Sequence, residues 1–157
     1  MQEETLKLLG SLDGDAIVPL NSRMSAHCNR VAVEDGHTES VSIKLGNKLG
    51  RPATKEDLLA AWAEFKPLAG QDLPTAPEQP VEWLSAEDRP QPRLDKNRGN
   101  GMAASVGRLR PCGLLVWKFT VLSHNTIRGA AGAAIVNAEL LLSLGKLEPL
   151  ALAAARA

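Results

Sequence analysis

Residues 25–45 read SAHCNRVAVEDGHTESVSIKL. Val31 and Val33 alternate ahead of Glu34-Asp35-Gly36, and Val41, Ile43 and Leu45 alternate behind it. Period-two alternation marks strands with one buried face, so this stretch predicts two strands joined at a bend. Arg30 then points away from the valines, and His37 opens the second strand. A guanidinium can hold a carboxylate through two parallel hydrogen bonds, and an imidazole moves protons near neutral pH. The pair reads either as an anion-binding, proton-transferring site or as a solvated strand arginine beside an ordinary turn histidine. A tight two-residue turn at Asp35-Gly36 would leave Arg30 roughly 13 Å along the strand from the partner of His37, at about 3.3 Å per residue. A substrate shared by both therefore requires a bulged or open bend.

The rest of the composition sets the frame. A chain of 157 residues with 44% hydrophobic content has the length and apolar fraction of one domain with its own core. Eighteen basic and eighteen acidic residues cancel, so no overall field favours nucleic acid or a membrane surface. The start, MQEETLKLLG, carries acidic residues where a secretion signal needs basic ones, and Asn137 and Glu139 interrupt the apolar run near the other end. Cys28 and Cys112 stand far apart without a CxxC, which predicts neither a disulfide scaffold nor a zinc site. A reducing cytoplasm is the compartment these features fit.

Taken in order, Glu3 to Leu9 predicts a helix stopped by Gly10. Glu4 and Lys7 lie at i and i+3 on it, spaced as a solvated ion pair. Ala16 to Leu20 predicts a short strand. Gly46 to Pro52 is a basic turn, after which Thr54 caps a helix with Asp57 at the reciprocal position and Leu58, Leu59, Trp62 and Phe65 as its apolar stripe. Pro67 to Pro80 is a proline-rich loop, and Val81 to Leu84 a strand. Arg89, Arg93 and Arg98 form a basic irregular segment whose expected role is contact with a partner subunit. Met102 to Leu109 and Gly113 to Leu122 predict paired strands, the second apolar enough to be covered on both faces. A last helix runs from about Thr126 to Leu144. Its Gly129-Ala130-Ala131-Gly132 start lacks bulk, which predicts close approach of another backbone, of a ligand or of a packed neighbour.

Four blocks, ETLK, CNRVAVEDGHTES, GMAASVGRLR and SHNTIRGAAGAAIVNAE, occur in this order between Glu4 and about Leu142. In these blocks the chain resembles the C-terminal half of aspartate-semialdehyde dehydrogenase, in the branch found in archaea and fungi. The resemblance implies an α+β fold: a mixed, largely antiparallel sheet covered by helices, similar to the C-terminal domain of the glyceraldehyde-3-phosphate dehydrogenase type. It implies a substrate-binding and dimerisation domain over 1–147, a tail over 148–157, and no N-terminal NAD(P)-binding domain on this chain.

The implied reaction converts L-aspartyl 4-phosphate and NADPH to L-aspartate 4-semialdehyde and phosphate, on the route to lysine, threonine and methionine. His37 would be the acid/base and Arg30 the grip on the substrate carboxylate. Glu4 and Lys7 would serve the amine and the phosphate, and Asn125 the nicotinamide carboxamide of NADP, which is bound mainly by the absent domain. The implied partners are a second copy of the chain, joined through the sheet face, and a separate nucleotide-binding half. The nucleophilic cysteine of the family lies in an Asn-Cys-Ser/Thr motif that neither Cys28 nor Cys112 matches, so the chain alone is expected to be inactive. Ala32 stands where relatives commonly have proline. Malonyl-CoA reductase and N-acetyl-glutamyl-phosphate reductase share the scaffold and remain alternatives, as does a catalytically silent dimerisation module.

Overall fold

The computed structural model describes residues 2–46, 49–68, 71 and 73–147. The tail over 148–157, part of the basic turn between Gly46 and Pro52, and part of the loop between Pro67 and Pro80 lie outside the described residues. The chain forms two compact units, Met1–Ala32 and Val33–Ala157.

In the first unit, α1 (Gln2–Leu8) carries Glu3 and Glu4 in its first turn and Lys7 in its last, the polarity that complements the helix dipole. β1 (Ser11–Asp13) and β2 (Ala16–Val18) form a small antiparallel hairpin with Leu12 opposite Ile17. The Leu20 N–H donates to the Leu6 carbonyl at 2.8 Å, which ties the hairpin's exit back to α1. β1 falls where the sequence predicts no strand.

The predicted strand through Arg30, Val31 and Val33 does not form. No helix or strand occurs between β2 and His37, and Val31 is 69% exposed. Alternation yields a half-buried strand only where a neighbour supplies both hydrogen bonds and cover. The strand after the bend finds its partner far along the chain instead.

That strand, β3 (His37–Ile43), is the edge of a four-stranded sheet in the second unit, with order β3-β6-β5-β4. β6 (Trp117–Ser123) runs antiparallel to β3, with His37 opposite Ser123 and Val41 opposite Phe119, and antiparallel to β5 (Ala104–Pro111). β4 (Val81–Leu84) pairs parallel with β5, Trp83 opposite Val106. The sheet is mixed and largely antiparallel, as expected. β6 is not covered on both faces, however. Leu122 alone in it is buried, and Leu114, expected within the strand, lies in the preceding turn with 96% exposure.

α2 (Lys55–Glu64) opens with the predicted capping box between Thr54 and Asp57, which Arg51 reinforces through the same carboxylate. The Trp62 ring stacks on Trp83 at 5.9 Å and meets Phe119 edge-on at 5.1 Å, so α2 covers the sheet face bearing those rings. The Trp117 indole N–H donates to the Ala53 carbonyl at 3.0 Å at the helix entrance.

Between β4 and β5 the chain passes over the sheet. A methyl group at Gly107 would collide with the Arg89 carbonyl and the Pro90 ring, which is why this β5 position is glycine. α3 (Pro92–Asp95) places the buried Asp95 carboxylate against Arg89, with the Arg89 Nε–H donating at 2.6 Å and the Gln91 N–H at 2.8 Å. Burial pushes the Asp95 carboxyl up, but the hydrogen bonds from Arg89 and Gln91 and the charges of Arg89 and Arg98 outweigh it and hold it below its ordinary range. Arg98 pairs with Glu82. The basic segment thus pairs Arg89 and Arg98 with carboxylates of its own chain.

The last helix starts with a π turn (Ile127–Ala131) before α4 (Gly132–Ser143). Gly132 lies tightly under Met102 and Ile127, so close side-chain packing accounts for this glycine. Leu73, Met102 and Val136 form the core beside α4, flanked by Ile127 and Leu140. The Glu139 carboxylate fixes the helix to Thr75 by accepting from its hydroxyl at 2.7 Å and its N–H at 3.1 Å. Among the described residues no helix is long and apolar enough to cross a membrane.

Candidate functional site

His37 is the first residue of β3 and is exposed. The bend ahead of it is held from several sides. Gly36 has φ +108°, a conformation that L side chains rarely adopt, and its N–H donates to Asn125 Oδ1 at 2.8 Å. A methyl group on Gly36 would lie 3.0 Å from Leu122 Cδ1 and 3.4 Å from Pro92 Cβ. Lys96 Nζ approaches Asp35 Oδ2 at 3.4 Å and Glu34 Oε2 at 3.6 Å. The bend is open and irregular, and the residues ahead of it form no strand.

Asn125 comes from the other end of the unit's sequence, after β6. Its orientation is fixed by chemistry: a backbone N–H needs an acceptor, so the carbonyl oxygen faces Gly36 and the two Nδ2–H donors remain for another acceptor. Such a donor fits a carboxamide carbonyl. The neighbouring His124 is buried, and its Nδ1 receives the Thr126 N–H at 3.3 Å and the Ile127 N–H at 3.4 Å. An Nδ1 that accepts two backbone N–H groups leaves the ring proton on Nε2 and makes His124 a cap for the π turn.

Arg30, Glu4 and Lys7 belong to the first unit, and all three are exposed. Glu4 and Lys7 stand one turn apart on α1, on one face as their spacing predicts. The structure therefore brings Asn125 to the bend that carries His37. Lys96 is the residue there that sequence reasoning missed. It stands 61 positions from Asp35, in a segment read only as basic, and local spacing holds no signal for that contact.

Neither Cys28 nor Cys112 forms a disulfide. Cys112 lies in the turn between β5 and β6, where the Leu115 and Leu114 N–H groups, then the Ser42 hydroxyl and the Lys118 charge, pull its thiol below the ordinary value against desolvation. Among the described residues no group of three His, Cys, Asp or Glu side chains could hold a metal ion.

A mixed sheet with helices packed on it and a histidine at the start of its edge strand defines an α+β domain of the glyceraldehyde-3-phosphate dehydrogenase C-terminal kind. The chain belongs to the family described as semialdehyde dehydrogenase, dimerisation domain, which matches residues 1–128. It is 48% identical over 142 residues to an aspartate-semialdehyde dehydrogenase of Archaeoglobus fulgidus, covering 90% of this chain and 39% of that protein. It is 45% identical over 148 residues to one of Candida albicans, covering 90% and 40%. The crystal structure of aspartate-semialdehyde dehydrogenase with NADP from Candida albicans superposes with a TM-score of 0.83 at 42% identity, over 93% of this chain and 42% of that one. The chain thus spans about two fifths of the length of these relatives and matches their C-terminal part.

Proposed function

We propose that this chain is the substrate-binding and dimerisation part of a cytoplasmic, NADP-dependent aspartate-semialdehyde dehydrogenase serving lysine, threonine and methionine biosynthesis. Identity of 48% to the Archaeoglobus fulgidus enzyme over 90% of the chain carries this reading. His37 transfers the proton at the reacting carbonyl, taking it from or returning it to the oxygen as the tetrahedral centre forms and collapses. Arg30 clamps the substrate α-carboxylate through two parallel hydrogen bonds and so fixes the reacting carbon relative to the nucleophile. Glu4 accepts from the substrate ammonium, and Lys7 presents a cation to the phosphate. When bound, NADP supplies or accepts the hydride, and the Nδ2–H donors of Asn125 suit its carboxamide oxygen. The domain over 1–147 associates with a second copy through its sheet, and since neither Cys28 nor Cys112 lies in the family's nucleophile motif, the nucleophile is not among these 157 residues.

The test is phosphate- and NADP-dependent oxidation of L-aspartate 4-semialdehyde by the purified chain, alone and mixed with a separately made nucleotide-binding half of a relative. Turnover in the mixture only, lost in His37→Ala and strongly reduced in Arg30→Lys, is the expected result. A folded dimer with no turnover in either tube would overturn it in favour of a silent dimerisation module.

A further inference from the structure

We propose that Asn125 and Lys96 are positioning residues for His37, which clamp the Glu34–Gly36 bend so that the imidazole is presented in one place. The proposal deepens the dehydrogenase reading and rests on it for the meaning of His37. Three polar contacts meet at three consecutive residues. Asn125 Oδ1 takes the Gly36 N–H at 2.8 Å, and the Lys96 ammonium stands 3.4 Å from Asp35 and 3.6 Å from Glu34. Leu122 and Pro92 close on the space a Gly36 side chain would need.

His37 would otherwise be badly placed for catalysis. It is the terminal residue of an exposed edge strand, where fraying is the default, and proton transfer demands a group held within about 0.5 Å of its productive position. The clamp acts on the Asp35–Gly36 peptide and on the side chains of Glu34 and Asp35, the residues immediately before His37. Lys96 is well suited to this role, since only 19% of its side chain is exposed and its ammonium is shared between two carboxylates. The clamp also couples two functions in one amide group. Asn125 holds the acid/base with its oxygen and keeps its nitrogen for a carbonyl acceptor, so occupancy on one side and order on the other share a side chain.

The experiment is nuclear magnetic resonance on the labelled chain, reading exchange of the Gly36 amide and relaxation of the His37 ring carbon Cε1 in wild type, Asn125→Ala, Asn125→Asp and Lys96→Met. Loss of the Asn125 acceptor is expected to speed Gly36 exchange about tenfold and to loosen the His37 ring, whereas Asn125→Asp, which keeps an acceptor oxygen, retains the protection. Lys96→Met is expected to loosen the same ring and, in the two-half assay, to lower kcat about tenfold with KM nearly unchanged. Unaltered His37 relaxation in both Asn125→Ala and Lys96→Met, or Asn125→Asp behaving as Asn125→Ala, would overturn the proposal. If Asn125→Ala fails to fold, Lys96→Met decides alone. A wild-type mixture without turnover would contradict the dehydrogenase reading while leaving the ring and exchange comparison to decide the clamp.

Discussion

At the scale of single residues the bend before β3 is governed by Gly36, whose φ of +108° L side chains rarely adopt and whose Cβ position is tightly bordered by Leu122 and Pro92. Gly36→Ala is expected to destabilise the fold by about 1–3 kcal/mol, read from urea unfolding, because the methyl group adds backbone strain and presses on Leu122. Asp95 makes a second prediction. Its folded value lies below the unfolded one near about 3.9, so its contribution is present above that value and disappears as pH falls through the lower folded value. The urea midpoint should therefore drop as acid is added below about pH 4, and Asp95→Asn should lower it at neutral pH and flatten the acid-side slope. Neither Asp95 nor Lys96 stands out in the sequence. Each acquires its role from a partner that folding delivers, Arg89 across a loop and Asp35 across 61 positions. His37 stands out in the sequence as a candidate because its residue type, a glycine bend and a family resemblance coincide at one place.

At the scale of elements, local signals read well and pairing signals less so. The α2 capping box needs only residues three apart, and it forms as predicted. Thr54→Ala should cost about 1 kcal/mol in thermal or urea unfolding, since it removes the acceptor for the Asp57 N–H. The β5 and β6 strands were visible in their apolar runs, and the parallel pairing of β4 only in three dimensions. The strand expected at Val31 and Val33 failed because alternation says which face could be buried and not whether a layer exists to bury it. The π turn at Ile127–Ala131 likewise depends on His124 Nδ1 receiving the first free N–H groups and on Gly132 fitting beneath Met102, contacts that helical periodicity does not encode.

At the scale of the whole molecule the sheet carries His37 at its edge, and the self-association proposed for a member of a dimerisation-domain family uses one of its faces. Phe119 faces Trp62 of α2, so its neighbour Thr120 projects from the opposite face, opposite Ser40 of the edge strand. Light scattering should report a dimer for the wild-type chain, and Thr120→Arg should shift it toward monomer by placing a charge on that face. His37 is proposed to move the proton in semialdehyde dehydrogenase chemistry, with Arg30, Glu4 and Lys7 of the same chain holding the substrate. Chemical rescue tests this most directly: turnover of L-aspartate 4-semialdehyde by the two-half mixture carrying His37→Ala, with and without added imidazole. The account predicts near-complete loss of activity that imidazole restores several-fold. Full activity in His37→Ala without imidazole would contradict it.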